Sequence, residues 1–145
     1  MKNFRWTGIA AVLIAVASAG LLLGTASAEK GKPVKKAKKR TASVEQLMEG
    51  IVVVHCKSLS KELKADKPNW KHIRLHAAML NESGHNLMDD GRCISAEWAA
   101  ASKILQKCSN VIIEKSKKED LAGAQGAFKV LTTKGCGACH KKHKK

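Results

Sequence analysis

Five residues close to the C-terminus constrain this chain more than any other stretch: Cys136-Gly137-Ala138-Cys139-His140. The pattern C-x-x-C-H is the attachment site of a c-type haem. Two thiols add across two vinyl groups of the porphyrin, and the adjacent imidazole takes the iron as its proximal ligand. On a helical turn, positions i and i+3 share a face, so Cys136 and Cys139 can reach neighbouring vinyls. A tetrahedral zinc site would need two more Cys or His ligands, usually from a second paired motif. The chain has no second C-x-x-C, and only His143 offers a nearby third ligand. A redox dithiol normally sits in a βαβ pattern, and no strand pattern precedes these residues. One covalent haem c is therefore the expected cofactor, held by Cys136 and Cys139, with His140 on the iron.

The other end of the chain reads as an export signal. Lys2 and Arg5 form a charged n-region, Ile9 to Leu23 is apolar or small, and Ala26-Ser27-Ala28 is an A-x-A cleavage site. The apolar run is short for a bilayer span, which needs about 20 residues. Residues 1–28 are therefore expected to be a signal peptide, and the periplasm the destination. Export agrees with the motif, because covalent haem c is assembled outside the bacterial cytoplasm.

Residues 29–42 read as a basic linker. Seven of the twelve residues from Glu29 to Arg40 are Lys or Arg, and such a segment buries too little apolar surface to offset its ordering entropy. It serves either as a solvated spacer or, through residues 30–40, as a tether to an anionic membrane surface or acidic partner. The whole chain carries a formal charge of +15. Export and the lack of any reading motif argue against nucleic acid as a partner.

From residue 43 onward the apolar spacing is helical, with no hairpin dipeptides. A first helix is expected over about 44–64 behind Ser43, with Leu47, Ile51, Val54, Leu59 and Leu63 as its stripe. Asn69 caps a second over about 70–90, ended by Gly91 at C′, with Trp70, Ile73, Ala77, Leu80, Gly84 and Leu87 along its seam. Ser95 caps a third over about 96–117, with Trp98, Ala101, Leu105, Cys108 and Ile112. A fourth begins with Ser116-Lys-Lys-Glu119, spaced as a capping box, and presents Leu121, Ala124, Phe128, Leu131, Gly135 and Cys139. The expected fold is all-α: an antiparallel four-helix bundle with a covalently attached haem, over residues 43–145.

A four-helix chain with one C-x-x-C-H on its last helix resembles the class II cytochromes c, the cytochrome c′-like family. The resemblance covers about residues 43–144. It implies that Cys136 and Cys139 carry the thioethers, that His140 is proximal, and that a residue of the first helix covers the distal face. That position falls on Met48, as an axial ligand or as a gap-filling core methionine. His55, two turns on, is the rival and would give a bis-histidine iron. With Met48 ligated, the chain is a periplasmic electron carrier that meets an acidic redox partner. Without a distal ligand, it is an open haem protein that binds NO or CO. Neither reading is an enzyme, and a homodimer is compatible with both. Lys57 is the nearest counterpart of the family's basic residue near the propionates.

The remaining candidates read modestly. His72 and His76 lie at i, i+4, either as a metal-binding pair or simply solvated. Cys56, Cys93 and Cys108 allow one disulfide and one free thiol, or three buried thiols.

Overall fold

Helix starts in this chain are set by side-chain oxygens. Ser43, Asn69, Ser95 and Asp120 each accept from the backbone N–H three residues on, at Gln46, His72, Trp98 and Gly123. Each bond satisfies one of the donors that a helix N-terminus leaves unpaired. Ser43 adds the reciprocal half of a capping box, its N–H donating to Gln46 Oε1 at 2.9 Å.

The computed structural model describes residues 40–144. The expected signal peptide, and the linker as far as residue 39, lie outside the described residues. Among those described there are four helices and no strand. Helix α1, residues 44–62, runs as Val44–Leu47, a π-helical stretch Met48–Val53, and Val54–Glu62. Helix α2 is Trp70–Asn86 and α3 is Ala96–Lys117. Helix α4, residues 121–143, runs as Leu121–Val130, a π-helical stretch Leu131–Gly137, and Ala138–His143. No described helix is long and apolar enough to cross a membrane.

Three details depart from the spacing argument. The stripe expected on α1 included Val54, but Val54 is 48% exposed and Val52 is buried instead, while Ile51 is half-buried. The i→i+5 turns of Met48–Val53 are wider than α turns and rotate the inward face by about one residue. Helix α2 ends at Asn86, so Gly91 is not its C′ residue. Asp90 and Gly91, with φ of 54° and 79°, form a left-handed turn beyond the helix. The Ser116–Glu119 capping box does not form, because α3 continues to Lys117. Ser116 is buried and donates to Ile113 O at 2.7 Å. The fourth helix is capped instead by Asp120, whose Oδ2 accepts from Lys115 Nζ at 2.7 Å.

Helix α3 packs extensively on both α2 and α4, and α1 leans on α2, whereas α1 and α4 share no extensive contact. The core is Leu59, Leu63, Ile73, Leu80, Ile112 and Leu131, each at most 2% exposed, with smaller residues between them. Polar side chains tie helices together by meeting carbonyls of their neighbours. Asn81 Nδ2 donates to Gln106 O at 2.8 Å, Gln125 Nε2 to Leu63 O at 2.7 Å, and Trp98 Nε1 to Leu87 O at 2.8 Å. Gly84 lets α2 approach α3 closely: a Cβ there would lie 2.7 Å from Gln106 Cγ and 3.0 Å from Ser102 O.

That contact gives a paired prediction. Gly126 also lies in a helix, but a Cβ there would meet nothing within 4 Å. Gly126→Ala should stabilise the chain by up to about 1 kcal/mol through helix propensity. Gly84→Ala should destabilise it by about 1–2 kcal/mol, because overpacking outweighs the same gain. Urea denaturation of the two variants measures both signs.

Candidate functional site

The two cysteines of the C-x-x-C-H motif open into one apolar cavity. Its walls come from three helices and the residue that caps the other: Met48, Val52, Val53 and Cys56 of α1, Trp98, Ala101, Ser102 and Leu105 of α3, Gly135, Cys136, Cys139 and His140 of α4, and Leu87 at the end of α2. The inner space is ≈ 170 Å³. It shares Met48, Val53, Trp98, Cys139 and His140 with an outer groove of ≈ 710 Å³. Val44, Glu45, Glu49, His143 and Lys144 complete the groove. Ligand pockets typically occupy about 300–1,000 Å³, so the joined space suits a large, mainly apolar ligand with one polar edge.

Both π-helical stretches border this cavity. Met48–Val53 contributes Met48, Val52 and Val53, and Leu131–Gly137 contributes Gly135 and Cys136. Single π turns within α-helices occur frequently at functional sites. On α1 the wider turn aligns Met48, Val52 and Cys56, four residues apart, along the cavity wall. On α4 it keeps Leu131, Gly135 and Cys139 inward, all three buried. Gly135 brings α4 close to α3, since a Cβ there would lie 3.3 Å from Ile104 Cγ2.

All five thiols are free, so no disulfide joins Cys56, Cys93 or Cys108. Cys139 is 7% exposed and Cys136 is partly buried. Burial pushes the Cys136 thiol up to about 11, with the neighbouring Cys56 thiol adding to the effect. Cys56 is thus a third thiol in the cavity wall, one that helical spacing alone did not single out. Burial raises the pKa of Cys56 and Cys139 as well.

His140 is exposed at the cavity rim. His143 turns to α3: its Nε2 lies 3.1 Å from Ser95 Oγ, and its ring meets Trp98 edge-on at 5.5 Å. The neighbouring Lys142 pairs with Glu97 and holds that carboxyl down to about 2. Together these contacts fasten the end of α4 to the start of α3. Met48 lines both the inner cavity and the outer groove. His55 is not among the lining residues; its Nδ1 faces His76 Nδ1 at 3.0 Å. Among the described residues no three His, Cys, Asp or Glu side chains converge as a metal-holding group, so Cys136, Cys139 and His143 do not form a zinc site.

The two motif cysteines have the chemistry that haem c attachment requires. Both thiols are unpaired, both reach the same apolar space, and the imidazole stands at its rim. No family model, curated protein or solved structure matches the chain.

Burial of Cys136 has a measurable consequence. With its pKa near 11, its thiolate fraction at pH 8 is about 100-fold below that of an ordinary thiol near 9. Because the higher-pKa thiolate is intrinsically more nucleophilic, iodoacetamide at pH 8 should alkylate Cys136 about 10-fold more slowly than a free model thiol, and the gap should narrow as pH rises towards 11. Peptide mapping by mass spectrometry follows the labelling; alkylation of Cys136 at the model rate contradicts the placement.

Proposed function

We propose that the chain is a periplasmic monohaem cytochrome of the class II, cytochrome c′-like type, carrying single electrons. The observation that carries this reading is the convergence of both C-x-x-C-H thiols on one apolar cavity lined by α1, α3, α4 and the end of α2. The position of the motif on the last helix supports the family. The side-chain pairings support an antiparallel bundle: His55 meets His76 while Glu62 meets His72, and Ser95 meets His143 while Glu97 meets Lys142. In each case a step forward on one helix is a step backward on its neighbour.

In this reading Cys136 and Cys139 would hold the porphyrin by thioethers, and His140 would ligate the iron. When bound, haem c supplies a one-electron Fe(II)/Fe(III) couple. Val52, Leu87 and Leu105 line the interior and exclude water from it, which keeps reorganisation small. Met48, which lines the cavity from α1, would offer a thioether to the iron, and a sulfur donor would raise the potential. Lys141 and Lys144, with the net positive charge of the chain, attract an acidic redox partner to the exposed His140 edge. No residue of the cavity is assigned a catalytic role.

The absorption spectrum of the haem-loaded protein tests the distal assignment. The wild type should be low-spin in both redox states, and Met48→Leu should turn it high-spin, lower its potential and open it to CO. A wild-type spectrum that is already high-spin, with rapid CO uptake, would instead establish a gas-binding protein with an open distal site.

A further inference from the structure

Away from the cavity lining, α1 and α2 carry a cluster that the electron-transfer reading does not use. His55 and His76 approach across the helix pair, with Nδ1 atoms 3.0 Å apart, ring centroids 5.3 Å apart and ring planes inclined at 42°. One turn along α2, His72 Nδ1 lies 3.2 Å from Glu62 Oε1, and its ring is 6.3 Å from that of His76. None of these four side chains is fully buried, so the cluster is open to solvent. The sequence pairs His76 with His72 on one helix; the structure turns His76 to His55 on another and gives His72 to Glu62.

Two Nδ1 atoms at this separation either share one proton or share one cation. Nitrogens bound to a single ion at about 2.0–2.1 Å stand about 2.9 Å apart at a right angle and about 3.4 Å apart at a tetrahedral angle. The observed 3.0 Å lies near the right-angle case, which suits square or octahedral ions such as Cu²⁺ and Ni²⁺. We propose that His55 and His76 form a cross-helix site for a divalent late-transition-metal ion, bound through their two Nδ1 atoms, with water in the remaining positions.

Other features agree with this assignment. Burial first, then the proximity of His55 and His72, lower the proton affinity of His76 against the opposing pull of Glu62. Glu62 occupies His72, which leaves His76 free for its partner on α1. Among the described residues no third His, Cys, Asp or Glu completes a metal-holding group. The site is therefore weak and exchangeable, and Cu²⁺ should bind most tightly by the Irving–Williams order. A bound ion would tie α1, which carries Met48, to α2. The proposal does not depend on the haem reading and holds or fails without it.

Titration calorimetry of the full chain with NiCl₂ at pH 7.5 tests it; Ni²⁺ is chosen because it does not oxidise the free thiols. His55→Asn and His76→Asn should each weaken binding at least about 10-fold, while His72→Asn stays within about 3-fold of wild type. Loss with His72→Asn and His76→Asn but not His55→Asn would place the ion on α2 alone and overturn the cross-helix site. Equal binding by all three variants would place it elsewhere and overturn it too. Should a variant fail to fold, paramagnetic broadening in the wild type decides the matter. The imidazole signals of His55 and His76 should broaden first on adding Ni²⁺, and broadening led by His72, His85 or His143 contradicts the proposal.

Discussion

Helix register around a shared cavity is the constraint on which the rest of this structure depends. An uninterrupted α-helix through residues 44–62 would direct Val54 inward, but Val54 is 48% exposed while Val52 is buried. The π turn of Met48–Val53 makes that change and lines up Met48, Val52 and Cys56 on the cavity wall. A second π turn, Leu131–Gly137, brings Cys136 and Cys139 to the same space from α4. Such turns give up regular i→i+4 hydrogen bonding. Here both lie where two helices must present particular side chains to one cavity.

The remaining helices hold that cavity open and in place. Helix α3 is the common support, packing on α2 through the close approach at Gly84 and on α4 beside Gly135. Trp98 does two things at once. Its ring forms part of the cavity wall, and its indole N–H satisfies the Leu87 carbonyl where α2 ends. The Ser95–His143 and Glu97–Lys142 contacts then secure the end of α4 to the start of α3. Side chains at the helix ends thus fix the position of the C-x-x-C-H segment as much as the core does.

Much of this was legible in the residues. Asn69 and Ser95 mark helix starts because short polar side chains reach unpaired backbone donors, and both caps form as expected. The apolar seams of α2 and α4 follow regular spacing, and Ile73, Ala77, Leu80, Ala124, Leu131 and Cys139 are buried. What spacing could not show were the π turns, because a one-residue change of register leaves no mark in composition. For that reason regular spacing does not mark Val52 and Cys56 as wall residues and points Val54 inward instead. The Ser116–Glu119 pattern failed because a local motif competes with a helix that has not yet ended. Along its own helix His55 lies two turns from Met48, while its neighbour in space is His76, 21 positions away in sequence.

Burial of the motif thiols favours their neutral form, while the imidazole of His140 is exposed at the rim. An apolar interior beside a cationic surface is an arrangement suited to a cofactor that exchanges electrons with a charged partner. The central claim is that a porphyrin is covalently held by Cys136 and Cys139. The most direct measurement is mass spectrometry of tryptic peptides from denatured protein produced in a host competent for cytochrome maturation. The account predicts that the peptide of residues 135–141 retains one haem through two thioether bonds; recovery of that peptide without haem, with both thiols open to alkylation, would contradict it.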